Sequence, residues 1–444
     1  MTTYARRLGL FSGTMAVVGG IIGGGIFRTP ATVAERVGSA SAVLIAWVIG
    51  GIIALIGAFC FAELGYRRPR AGGGYVYLRE TFGPLPAFLY GWTLVLVIAT
   101  GAIAAVAVTF ADYTLALLGL SHRLSVPLAV AAIVLLAGIN YVGVRPAAVT
   151  QNIFTLLKLF ALAILIGAGI LLATHSAPPR ALAAPPASGL GAALVPILFT
   201  YGGWQQTNFI AEEIVAPERN LPRALVLGVF IVVAVYLLAN VAYLRVLGAA
   251  GLAASTAPAA DTMQAVLGPV GGKIIAAGIA VSTFGFLNLV ILVTPRVLQA
   301  MAADGVFFAR FAALDPNYRT PTLAIVALAI CAIVLTLTGT FGQLVDYVTF
   351  GDWIFFGLCV AGLFVYRSRE SGAGSQAPDS RLPIPVFRVP GYPVTPALFV
   401  LAAAYVVASA IASNPKNAAI GTGLIALGIP AFLYWRGVSS APRR

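Results

Sequence analysis

Apolar residues gather along this chain into twelve blocks. They fall at about residues 10–28, 39–64, 84–118, 125–143, 149–173, 191–213, 222–247, 268–302, 321–338, 342–367, 396–412 and 417–436. A helix needs about 20 apolar residues to cross the hydrocarbon core of a bilayer, so each block predicts one spanning helix. The blocks are called spans 1 to 12 below. Spans 3 and 8 exceed a perpendicular crossing and predict helices that tilt strongly or extend beyond the membrane.

Span 1 breaks the pattern. Residues 17–30 read VVGGIIGGGIFRTP, with Gly19, Gly20, Gly23, Gly24 and Gly25 inside seven residues. Each glycine weakens a helix by about 1 kcal/mol relative to alanine. One reading is close helix packing, which the Gly19–Gly23 spacing fits. The other is an unwound stretch lining a cavity, the one place where lipid tolerates broken backbone. A second glycine break, Tyr201–Gly202–Gly203–Trp204 in span 6, favours the cavity. A nucleotide-binding loop is a poor third reading: no strand precedes the glycines and no Gly-Lys-Ser/Thr follows them.

Spans 1–5 and 6–10 thus share one plan, each opening on a broken helix. Five spans separate the breaks, so the two copies run in opposite directions across the membrane. Such paired interruptions point to a midplane binding site. The expectation is an all-α polytopic membrane protein with twelve transmembrane helices. Its five-plus-five inverted repeat has discontinuous helices 1 and 6, and two C-terminal helices follow. The expected units are residues 1–173, 174–367, a linker at 368–395, and 396–444. Residues 368–393 are rich in Ser, Gly and Pro, and 175–188 read as an extended Pro/Ala segment.

Composition agrees: 60% of residues are hydrophobic, 9% are charged, and mean hydropathy is +0.97. The net charge of +13 could suggest nucleic acid. The basic residues lie instead in short loops, with 19 of the 27 on one side of the predicted topology and 7 on the other. This bias predicts that both termini are cytoplasmic, and the expected location is the cell's inner membrane. No nucleic-acid partner is expected. The first ten residues read as a cytoplasmic tail and not as a signal peptide. Cys60, Cys331 and Cys359 fall inside spans and read as free thiols, with no metal-ligand spacing. No cofactor is expected.

A broken helix offers free N–H groups at one half-helix end, which suit a carboxylate, and carbonyls at the other, which suit an ammonium. Two facing breaks would hold both poles of a zwitterion, so the natural ligand is a small-molecule α-amino acid. Spans 1, 3, 6 and 8 have no acidic residue near their centres, and Asp112 lies near the end of span 3. A cationic side chain would lack a counter-ion there, which points to neutral substrates. Lys158, nine residues into span 5, lies about 13 Å deep. Its cost of about 2.5–3.5 kcal/mol requires it to face the bundle interior. Glu63, Glu212 and Glu213 end spans 2 and 6 and are expected to pair with nearby arginines. Asp346 and Asp352 in span 10 read as a solvated face or part of an outer gate. His122 and His175 read as loop residues outside any site. Gly72–Gly74 are expected to shape a turn.

The motifs GGIIGGGIF, QNIFTLLKLFAL, FTYGGWQQTNFIAEEIVAPERNLPRA and STFGFLN make the chain resemble the amino acid–polyamine–organocation superfamily over residues 10–366. The L-type amino acid transporter family is the nearest match within it. The resemblance implies the same five-plus-five fold. It implies that the Gly24 and Gly25 amides hold the substrate carboxylate. The carbonyls of Ile21, Phe199 and Gly202 would hold its ammonium, and Phe199 would gate the site. Tyr201, Trp204 and Asn208 would line span 6, with Gly203 in the break and Tyr236 near the pocket. The family often has Gly-Ser-Gly in span 1. Here Gly23–Gly24–Gly25 loses the hydroxyl contact. Lys158 would stand where sodium-coupled relatives hold a cation, beside Gly19, Ser282 and Thr283, which implies sodium independence. Some relatives bind a heavy chain through a loop cysteine between spans 3 and 4. Residues 119–125 hold none, so no disulfide-linked partner is expected.

Together these readings give a sodium-independent exchanger of neutral L-amino acids working by alternating access. A proton-coupled symporter with Lys158 as the proton carrier remains the alternative. No Ser/His/Asp set or His-Glu-x-x-His motif supports an enzyme, and no filter motif supports a channel.

Overall fold

The computed structural model describes residues 3–173, 189–339, 341–372 and 386–440, with backbone alone over 341–350 and 437–440. The 175–188 segment, His175, linker residues 373–385 and the Asp346 side chain lie outside the described residues. The described chain is helical almost throughout, and its one β-bridge joins Leu8 to Ile214.

Every predicted span contains helix. Eight helices are long and apolar enough to cross a bilayer: Ala40–Arg67, Pro84–Leu118, His122–Tyr141, Val144–Leu172, Pro217–Ala254, Pro269–Ala303, Val394–Ser413 and Pro415–Arg436. Leu10–Ile21 and Thr322–Thr338 are shorter apolar helices, and Gly189–Thr200 and Phe341–Gly372 supply spans 6 and 10. Several helices outrun their apolar blocks. Span 5 starts at Val144, and span 7 runs on to a kink at Gly248 (φ 66°, ψ 172°), beyond which helix resumes to Ala254. Hydropathy ends a block at its first polar residues, whereas the backbone hydrogen-bond ladder continues through them.

Spans 1 and 6 are discontinuous. Span 1 runs over Leu10–Ile21, stops at an extended Ile22, turns through Gly25–Phe27 and resumes as Thr29–Val37. Span 6 runs over Gly189–Thr200, breaks at Tyr201–Gly203 and continues as a 3₁₀ helix, Trp204–Glu213. Gly203 has φ 111°, a left-handed conformation that a side chain would strain.

The two halves repeat one layout. Each has a broken helix, a long helix, a short helix, a second long helix and two more. The short helices are Gly74–Phe82 and Pro258–Leu267. The first packs on spans 3 and 10, the second on span 8 and the end of span 5. Counterparts also meet: span 1 on span 6, 2 on 7, 3 on 8 and 4 on 9. Span 8 is the axis of the core, with 72% of its apolar window buried, against 22% for spans 11 and 12.

Ion pairs tie one end of the bundle. Buried Glu63 accepts from Arg67 and Arg367 and from the Val389 N–H. Arg79 pairs with Asp304. Arg296 and Glu213, both fully buried, pair at 2.7 Å. The Leu8–Ile214 bridge fastens the N-terminal segment to the same place.

Candidate substrate site

The glycines of span 1 divide between two tasks. Gly19 and Gly20 serve packing. A Cβ on Gly19 would meet the Gln151 amide and lie 2.6 Å from Thr155 Oγ1 of span 5. One on Gly20 would lie 3.0 Å from the Gly203 carbonyl, and one on Gly203 would run into the Gly20 carbonyl. The two breaks therefore touch backbone to backbone. Gly23, Gly24 and Gly25 serve the cavity. The Gly24 and Gly25 N–H groups have no acceptor among the described residues. A Cβ on Gly24 would meet nothing within 4 Å, whereas one on Gly25 would press on Thr200 at 2.8 Å.

These groups open on a cavity of about 260 Å³. Its wall includes Gly20, Ile21 and Gly23–Gly25 from span 1, and Phe199, Thr200, Gly202, Gly203, Gln205, Gln206 and Phe209 from span 6. Span 3 adds an apolar strip from Leu94 to Val106, which begins on a π-helical turn, Leu94–Ala99. Span 8 adds Thr283, Phe286, Val290 and Thr294, and span 10 adds Asp352, Trp353 and Phe356. Phe199 is half exposed, at 51%.

Three residues expected on the wall lie behind it. Tyr201 packs against Trp47 and Tyr236, with ring centroids 5.5 and 5.1 Å away, and donates to the Trp47 carbonyl. Trp204 packs on Phe61 at 5.0 Å. Asn208 accepts from the Tyr77 hydroxyl at 3.0 Å. The reason is helical period. Positions 201, 204 and 208 would share a face at 3.6 residues per turn, but Tyr201 and Trp204 turn toward span 2 and Asn208 toward the Gly74–Phe82 helix. With three residues per turn, Gly203, Gln206 and Phe209 form the cavity face.

Tyr236 of span 7 does not line the cavity. Its hydroxyl donates to the Ile21 carbonyl at 3.1 Å and lies 3.4 Å from the Thr200 carbonyl, bridging the two breaks. Ile21 O also accepts from the Gly23 N–H at 2.9 Å, so both its lone pairs are engaged within the protein. This differs from the ammonium contact expected of Ile21. Phe199 O accepts from the Gly202 N–H and keeps one lone pair.

Lys158 is fully buried behind the span 1 break. Its Nζ donates to Ile22 O at 2.7 Å and Gly19 O at 3.2 Å. The Ser282 hydroxyl lies 3.2 Å from both Ile22 O and Gly23 O. Thr283 is placed differently from the expectation, since its hydroxyl bonds back to Ile279 O and Ala280 O of its own helix. Gln151, Thr155 and Asn288 extend the network, with Thr155 donating to Met15 O. The site thus presents unpaired N–H donors, an aromatic wall and a buried lysine under one unwound turn.

The amino acid permease family model matches residues 8–435. The chain belongs to that family. Its relatives include the human b(0,+)-type amino acid transporter 1, 33% identical over 423 residues, which are 93% of this chain and 84% of that protein. The mouse large neutral amino acids transporter small subunit 2 is 34% identical over 451 residues, 97% of this chain and 82% of its own. This permease is therefore a multi-pass membrane transporter of amino acids and not an enzyme. Sequence reasoning missed Gln205, Gln206, Phe209, Phe286 and Asp352 on its cavity wall. A period-three count from Gly203 would have found Gln206 and Phe209.

Proposed function

We propose that this permease is a sodium-independent exchanger of neutral L-amino acids working by alternating access. In this reading it resides in the inner membrane with both termini cytoplasmic. Its repeats are residues 1–173 and 174–367, and it needs no disulfide-linked heavy chain. The Gly24 and Gly25 N–H groups take the carboxylate, and the Phe199 and Gly202 carbonyls take the ammonium. The side chain lies along the apolar strip of span 3 and the aromatic wall.

The observation that carries the reading is Lys158. Its Nζ donates to Ile22 O and Gly19 O, the oxygens that a sodium ion under the break would need. When protonated, Lys158 supplies that positive charge itself and leaves no role for a dissolved cation. The lysine also links span 5 to the break, so bundle movement follows occupancy of the site. Uptake into proteoliposomes with and without sodium tests this, with alanine, serine and leucine expected to outrank arginine. The same carbonyls accept from a neutral amine as readily, which keeps proton symport through Lys158 as a second reading. Counterflow with and without a pH gradient separates the two: exchange proceeds without the gradient, and symport stops.

A further inference from the structure

The cavity wall holds one ionisable side chain among its described residues, Asp352. It comes from span 10, which contributes neither break. It sits one helical turn from Phe356, whose ring lies 6.1 Å from that of Trp204. No hydrogen bond or ion pair to a described residue reaches the Asp352 carboxylate. The Lys158 ammonium is committed to Gly19 and Ile22 and is absent from the wall. A second acceptor on the same wall, Gln206 Oε1, is buried without a partner. The Asp352 carboxylate therefore meets no cationic group among the described residues of this wall, and the wall's free donors, the Gly24 and Gly25 N–H groups, belong to the breaks.

An unpartnered carboxylate at membrane depth is costly, and acids so placed mark substrate or ion pathways. What would satisfy it is a cation brought by the ligand. We propose that Asp352 is a specificity-determining substrate contact that receives a positively charged side chain. The site then takes amino acids carrying a second amine or a guanidinium in addition to neutral ones. The proposal rests on the amino acid site described above. The zwitterionic head binds at the glycine breaks while the side chain reaches Asp352. Gln206 Oε1 accepts a further N–H, and the faces of Phe356 and Trp353 add cation–π attraction. Apolar neutral substrates use the rest of the wall, so they still outrank arginine. Among long polar side chains, the charged one is preferred.

The test is competition against labelled leucine on the full chain in detergent, using arginine and its uncharged isostere citrulline. In the unmodified protein arginine is expected to compete at least tenfold better than citrulline, which is about 1.4 kcal/mol. Asp352→Asn is expected to bring that ratio to about one. Equal competition by the two in the unmodified protein overturns the proposal, and so does a ratio that survives Asp352→Asn. The first comparison needs no variant, so poor recovery of Asp352→Asn leaves the proposal exposed to failure. If leucine itself does not bind, the amino acid site falls and this proposal with it. If leucine binds with no arginine advantage, this proposal alone falls.

Discussion

Gly203 and Gly24 sit in the same pair of breaks yet answer to different constraints. Gly203 has φ 111° and a Cβ there would run into the Gly20 carbonyl. Gly203→Ala should therefore separate the two breaks and lower the melting temperature of the purified protein. Gly24 has φ −81° and open space at its Cβ position. Gly24→Ala should melt within the range of a neutral surface change, about 0.5 kcal/mol. Similar melting of the two variants would contradict the backbone contact. Tyr236→Phe removes the hydroxyl that bridges Ile21 O and Thr200 O. Loss of that bridge should cost about 1 kcal/mol and weaken substrate binding, read by thermal shift with and without leucine.

At the scale of the element, the 3₁₀ continuation of span 6 decides which side chains meet substrate. Gln206 and Phe209 face the cavity, while Asn208 is pinned by the Tyr77 hydroxyl. Gln206→Leu should alter the ranking of substrates with little change in melting. Asn208→Ala should cost about 1–3 kcal/mol by stranding a buried partner. The reverse pattern would mean that the segment follows the α-helical period. This is also where the sequence runs out. Glycine clusters and a lysine deep in span 5 are legible, because composition alone makes them costly in lipid. Apolar blocks are equally legible, because the bilayer demands them. The difference between three and 3.6 residues per turn leaves no mark over ten residues of mixed polarity. Asp352 was unreadable for a related reason. A single acid in an apolar span looks the same whether it faces a cavity or a solvated surface.

Across the whole molecule, the breaks are held between a tied end and an open wall. Arg296 and Glu213 are fully buried and join span 8 to the chain leaving span 6. Removing one partner leaves a buried charge, so Arg296→Met should destabilise by about 3–5 kcal/mol. Replacing both with apolar residues, Arg296→Met with Glu213→Leu, should recover most of that loss, read as thermal stability in detergent. A double variant as unstable as the single one would show that the pair does more than satisfy itself. In the proposed alternating-access cycle this end would open, which would put the pair on the path of the conformational change.

The central claim is that the Lys158 ammonium replaces a dissolved cation beneath the span 1 break. Leucine exchange in proteoliposomes, with sodium present or replaced by choline, tests it most directly. The rate in the unmodified protein should be the same in both, and Lys158→Ala should lose most of its transport while retaining membrane insertion. Sodium-stimulated exchange by the unmodified protein, or near-normal exchange by Lys158→Ala, would contradict it.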